Sequence, residues 1–276
     1  MRNFLLATTA LLGLSASALA ADLPARRAPA PFVAVPVFTW TGFYVGVNAG
    51  YVFDHDSTFR QSNGTVAPAA SGLGVARPFT ARVPDDGVTA GGQIGYNFQI
   101  GNAVIGIEAD AAWTDIGRRV TIGGPGAPAT LNTFRADLDY LGTVRGRLGW
   151  AFDRVMIYGT GGFAYGDVTQ TVTFFNSPAV LGGSPRFTRT RSSTETGWVA
   201  GGGVEWAIPT DSAFAFLNFF GTSAATIKVE GLHYDLGSRT YFIDPVIGGG
   251  AVGGGSYATR VRTDGNLVRV GLNYKF

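Results

Sequence analysis

The chain has 276 residues, with 41 glycines, 13 prolines, no cysteine, a formal net charge of +2 and only 14% charged residues. Glycine stands at about twice its ordinary ~7% share and charge well below the usual ~25%, a balance that disfavours a helical protein. The missing cysteines exclude disulfide frameworks and thiolate metal sites, and near-neutrality gives no argument for a nucleic-acid partner.

Residues 1–20 read as a secretory signal peptide. Met1-Arg2-Asn3 is a basic start, Phe4 to Leu14 an apolar centre, and Ala18-Leu19-Ala20 a small-x-small cleavage site. No later segment has the ~20 unbroken apolar residues that a spanning helix needs, so an exported chain that enters a membrane enters it as strands. Residues 21–38 carry Pro24, Pro29, Pro31 and Pro36 with Arg26 and Arg27. At this density proline favours extended chain, and the segment reads as a periplasmic tether, either a plain spacer or a contact to the cell wall or periplasmic partners.

Residues 39–276 alternate. Thr41, Phe43, Val45, Val47, Ala49, Tyr51 and Phe53 share one parity of a first strand, with Gly42, Tyr44, Gly46, Asn48 and Gly50 on the other. Val88 to Ile100 repeats the pattern, Gly101-Asn102 is a two-residue hairpin turn, and Ala103 to Trp113 forms a third strand. Tyr140, Val144, Leu148, Trp150 and Phe152 face out on a fourth. Asp153-Arg154 turns into a fifth with Val155, Ile157, Phe163 and Tyr165, and Trp198, Ala200, Val204, Trp206 and Ile208 mark a sixth. A seventh covers Thr226 to Asp235. The eighth starts after Tyr257 and ends on Val268, Val270, Leu272, Tyr274 and Phe276. The apolar stretch Ala213 to Gly221 fits no parity and is expected as an interfacial insertion at the turn before the seventh strand.

One apolar face per strand needs a cover. A second layer would make a soluble sandwich; lipid serves instead if the sheet closes and leaves no edge. The expected fold is therefore all-β, an eight-stranded antiparallel up-and-down transmembrane β-barrel. Short connections at 101–102, 153–154 and near Pro209 alternate with long ones at 54–87, 115–137, 173–195 and 237–260, which puts both termini in the periplasm. Trp40, Phe98, Trp150, Phe152, Trp206, Tyr274 and Phe276 are expected in a periplasmic aromatic belt, and Tyr51, Phe53, Trp113, Tyr140, Tyr165 and Trp198 in an outer one.

The segments Trp40-Thr41-Gly42-Phe43-Tyr44-Val45-Gly46, Gly142-Thr143-Val144-Arg145-Gly146-Arg147-Leu148-Gly149, Tyr158-Gly159-Thr160-Gly161-Gly162-Phe163 and Gly197-Trp198-Val199-Ala200-Gly201-Gly202-Gly203-Val204-Glu205 together resemble the small outer-membrane β-barrel proteins of alphaproteobacteria, the RopB type grouped as porin-family proteins. The resemblance implies an eight-stranded barrel in the outer membrane, structural roles for most members, and heme binding or adhesion for some. Gly231 and His233 depart from that pattern. A terminal Phe after alternating apolar residues looks like the strand that the barrel-assembly machinery recognises, which makes Tyr274 and Phe276 the candidate assembly signal.

Parity places Glu108, Asp110, Arg145, Arg147, Glu205, Lys228, Glu230 and Arg269 inside the barrel, with Glu108 level with Arg147 and Asp110 with Arg145. Four acids against four bases fit a paired network filling a lumen that eight strands leave only wide enough for side chains; an ion-selecting pore is the other reading. Catalysis would have to come from Asp54-His55-Asp56-Ser57, where adjacent residues point apart and no oxyanion element is visible. His233 could ligate heme with a loop tyrosine, or be an ordinary interfacial ring. The expectation is a structural outer-membrane protein with exposed loops, no enzyme, no cofactor and no metal, surrounded by outer-membrane lipid; a narrow porin or a heme-binding or other small-ligand barrel is the alternative.

Overall fold

A computed structural model of the chain describes residues 38–62, 80–123, 131–175, 185–209, 212–217, 224–243 and 257–276. The segment read as a signal peptide and nearly all of that read as a tether lie outside them. Eight antiparallel strands, β1 (Gly42–Ser62), β2 (Thr80–Ile100), β3 (Ala103–Gly123), β4 (Leu131–Phe152), β5 (Val155–Phe175), β6 (Pro185–Ala207), β7 (Ala224–Ile243) and β8 (Tyr257–Lys275), close into one barrel in chain order, β8 pairing back onto β1.

The alternation in the sequence sets which side each residue takes. On β1 the side chains of Phe43, Val47, Tyr51 and Phe53 are exposed, while Tyr44 and Val52 are buried. The same apolar outer face continues through Ile94, Tyr96, Ile105, Ile107, Val144, Leu148, Val229 and Val270. A surface of this kind is covered by lipid, and a closed barrel leaves no unpaired backbone in the hydrocarbon. Trp113, 77% exposed, marks the outer aromatic belt with Tyr51, Phe53 and Trp198; Phe98, Trp150, Phe152 and Phe276 mark the periplasmic one. Two tight hairpins need a left-handed first residue, supplied by Gly101 (φ 60°) and Asp153 (φ 54°).

Two belt assignments are corrected. Trp40 is 1% exposed and turns into the periplasmic mouth, because Phe38 packs on it edge-on at 5.0 Å and its indole Nε1 donates to the Asp153 carbonyl at 3.1 Å. Tyr274 keeps its outward parity but is buried beneath the β6–β7 connection, where a 3₁₀ turn, Ala215–Leu217, brings Leu217 against Ile208, Ala225 and Tyr274, and Phe214 stands edge-on to Trp206 at 6.0 Å. The described part of the insertion thus lies on the lipid-facing surface beside the spanning strand β7.

The strands also run further outward than expected, into all four long connections. Above the outer belt the ring opens along two seams. The β2–β3 ladder stops at Thr89–Thr114 and the β6–β7 ladder at Trp198–Asp235, while the other six ladders continue to the ends of their strands. The outer part is therefore two four-stranded sheets, β7-β8-β1-β2 and β3-β4-β5-β6. Phe59, Ala81, Val83, Val261 and Ile243 of the first pack on Phe134, Ala136 and Val172 of the second, with the Phe59 and Phe134 rings 5.2 Å apart. Facing sheets that share an apolar core make a small sandwich standing on the membrane barrel.

Candidate functional site: the barrel interior

The interior is filled in layers from the periplasmic end. Trp40, Val104, Ala151, Met156, Tyr158 and Ala207 form the lowest. Above them lie all eight predicted charged residues, Glu108, Asp110, Arg145, Arg147, Glu205, Lys228, Glu230 and Arg269, each no more than 6% exposed. Next comes an apolar layer that includes Val52, Leu138, Leu141, Leu232, Tyr234 and Leu267, and the outer sandwich core closes the stack.

The charge pairs are set by register. Glu108 stands directly opposite Arg145, Glu205 opposite Lys228 and Glu230 opposite Arg269, so three cross-strand rungs each carry one acid and one base. This corrects the expected levels, though Asp110 and Arg145 still meet at 3.2 Å on the diagonal. Ala103 lies opposite Trp150, and not opposite Phe152 as equal counting from the two turns assumes; the strand stagger of a barrel supplies the two-residue shift. Arg147 still reaches Glu108, but at 3.7 Å, and its close partner is Glu205 at 2.6 Å.

Every carboxylate is multiply satisfied. Glu108 accepts from Lys228 Nζ at 2.7 Å, from Tyr44 Oη at 2.7 Å and from Arg145. Asp110 accepts from Arg269 Nη1 at 2.8 Å and Thr143 Oγ1 at 2.5 Å. Glu230 accepts from Arg145 Nη1 and Tyr158 Oη, both at 3.1 Å, and from Arg269. Glu205 accepts from Thr226 Oγ1 at 2.5 Å and Asn273 Nδ2 at 2.9 Å besides Arg147. The Arg147 guanidinium lies 4.0 Å from the Tyr158 ring centroid. Desolvating a charge is expensive unless its partner and its remaining lone pairs are met inside, and the cage meets this for its four carboxylates, while Arg147 Nε is left without a hydrogen-bond partner.

Sequence reasoning missed the neutral members, Tyr44, Tyr158, Thr143, Thr226 and Asn273. The inward parity of Tyr44 was a usable signal. A second was the glycine that makes its space: a Cβ on Gly95 would sit 2.3 Å from Tyr44 Oη, so bulk on β1 is matched by its absence on β2. The remaining candidates are not brought together among the described side chains. Asp54, His55 and Asp56 lie on β1 at the register shift between Val52 and His55, and not in a loop; their side chains fall outside the described ones. Ser57 is fully buried, facing inward. His233 lies on the lipid side, its ring 5.3 Å from Trp198 and its Nδ1 2.9 Å from Asn266 Oδ1. The Phe276 amide donates to the Phe43 carbonyl at 2.9 Å, so the last residue continues the β8–β1 closure.

A family model described as outer membrane protein beta-barrel domain matches residues 6–276. The 31 kDa outer-membrane immunogenic protein of Brucella melitensis is 34% identical over 285 residues, covering 100% of both chains. The 22 kDa outer membrane protein of Rhizobium leguminosarum is 27% identical over 243 residues, covering 87% of this chain and 80% of that one. Among solved structures, the outer membrane protease OmpT from Escherichia coli covers 88% of this chain and 99% of its own at a TM-score of 0.40 and 10% identity, a likeness too weak to carry an argument about chemistry.

Proposed function

The chain belongs to the outer membrane protein beta-barrel family and is an outer-membrane protein, and on that footing we propose that it is a closed structural element of the envelope, neither a pore nor an enzyme. The observation that carries this reading is the filled interior: a layer around Trp40 and Tyr158, a paired charge cage, an apolar layer and a sandwich core follow one another among the described residues. A conducting barrel keeps charges facing water along a continuous path, whereas these charges face each other. Of the catalytic candidates Ser57 is buried on the inward face, and the heme-ligand candidate His233 faces lipid beside Trp198. In this reading lipid covers the apolar belt, the assembly machinery takes β8, and the outer sandwich carries the outer connections. Two relatives are named immunogenic, which fits antibody access to that outer part.

The test is purified protein in a planar lipid bilayer. Silence at both polarities is the expected result. Sustained channels, with an ion preference that shifts when Arg145 and Arg147 are replaced by alanine, would reject the closed barrel in favour of transport.

A further inference from the structure

The outward face of the sheet β7-β8-β1-β2 carries four arginines on three adjacent strands, Arg260 and Arg262 on β8, Arg60 on β1 and Arg82 on β2. In one cross-strand row Arg262 and Arg82 flank Thr58; in the next, Arg260 and Arg60 are direct partners. All four are exposed, and with Ser238 and Asp264 they line a hollow of about 430 Å³. Arg262 is held by Asp235 at 2.6 Å, and Arg260 donates to Ser238 Oγ at 2.7 Å, so the block is anchored from the β7 side while Arg60 and Arg82 complete its far edge.

Like charges set directly opposite on neighbouring strands destabilise a sheet. Arg60 opposite Arg260 is such a pair, whereas Arg262 in the neighbouring row is already paired with Asp235 at 2.6 Å and Asp264 at 3.6 Å. Arginine presents a planar fork that binds phosphate through two hydrogen bonds, so an anion in the hollow would relieve the repulsion. The position supplies the rest of the argument. The block has the lipid-facing parity of β1 and β8, five to seven residues beyond Phe53 of the outer belt, on the outward face of the sheet that rises from the outer leaflet, within reach of its headgroups for long arginine side chains.

We propose that Arg60, Arg82, Arg260 and Arg262 form a binding site for the phosphate groups of an outer-leaflet glycolipid. The site rests on the barrel's place in the outer membrane and is independent of whether the lumen conducts.

The experiment uses the folded barrel in neutral detergent, titrated with bisphosphorylated lipid A, with the same lipid stripped of phosphate, and with inorganic phosphate, binding being read by intrinsic fluorescence and by the shift in unfolding temperature. Bisphosphorylated lipid A is expected to bind at least tenfold more tightly than either control, less so at high salt. The triple variant R60Q/R82Q/R260Q should lose that tenfold preference, while R119Q/R135Q/R189Q should keep it: Arg119 and Arg135 of the other sheet are also direct partners, but Arg135 is already held by Asp137 at 2.7 Å. Equal binding of stripped lipid A, equal binding of inorganic phosphate, or unchanged affinity in the first triple variant would each overturn the proposal. An unfolding temperature of that variant without lipid at or above wild type is expected, because repulsion is removed. A folded variant that binds normally cannot be explained away as misfolding.

Discussion

At the scale of single residues, the lumen trades ordinary apolar packing for charge, and its stability depends on pairing. Arg147→Met should leave Glu205 buried with only Thr226 and Asn273 as donors, a loss on the order of 3–5 kcal/mol for an uncompensated buried charge. Adding Glu205→Gln should recover much of it, because an amide needs no counter-charge. The measurement is the temperature at which the folded electrophoretic form disappears; a double variant no better than the single would show that the pair is not what Arg147 supports. Glu195 behaves differently. It lies beyond Trp198 on β6, accepts from Tyr241 Oη at 2.8 Å across the open β6–β7 seam, and is fully buried. Burial raises its carboxyl above the ordinary 4.5, Tyr241 opposing only in part, while burial and the facing carboxylate push the Tyr241 phenol up to about 12. A raised folded-state value means that this contribution is complete below the unfolded value and fades as pH rises through the folded one. The outer sheets of the wild type should therefore resist protease better near pH 4.5 than at pH 8, and Glu195→Gln should flatten that difference.

At the scale of elements, the strands and their sides were legible because a period of two is explicit in residues such as Phe43, Val47 and Tyr51 against Tyr44 and Asn48. All eight charged residues of the cage could be picked by parity for the same reason. Three things could not be read. The strand stagger that pairs Glu108 with Arg145 is a property of closure and no local segment encodes it. The outer strand halves, such as Thr58 to Ser62 and Pro185 to Thr196, are polar on their exposed side and resemble loops. The inward turn of Trp40 depends on Asp153, 113 residues away. The closing strand carries the prediction at this scale. Phe276 extends the β8–β1 ladder through Phe43, with their rings 6.4 Å apart, and it is the exposed end of the periplasmic belt. Its deletion, or Phe276→Asp, should leave the protein in the periplasm; normal amounts of heat-modifiable barrel in the outer membrane would show that assembly does not read this residue.

At the scale of the whole molecule, two structures share one set of strands. Below the outer belt every strand edge is paired, and unfolding has to break a closed ring. Above it the described contacts between the two sheets include the apolar core, Tyr241 on Glu195 and under Arg191 at one seam, and Arg118 donating to the Pro84 carbonyl at 3.1 Å at the other, with no ladder joining them among the described residues. Fewer shared hydrogen bonds make the outer part a separate, weaker cooperative unit, as sub-global opening generally follows local contact density. Phe59 and Phe134 sit at its centre, each fully buried. Phe134→Ala removes a ring from a packed core, a change that typically costs about 3–5 kcal/mol, and almost all of that loss should fall on the sandwich. Protease added to intact cells should then cut the outer strands readily in the variant and slowly in the wild type, while the barrel that remains in the membrane keeps the wild-type temperature of heat modification. Equal lowering of both would mean that barrel and sandwich unfold as one body.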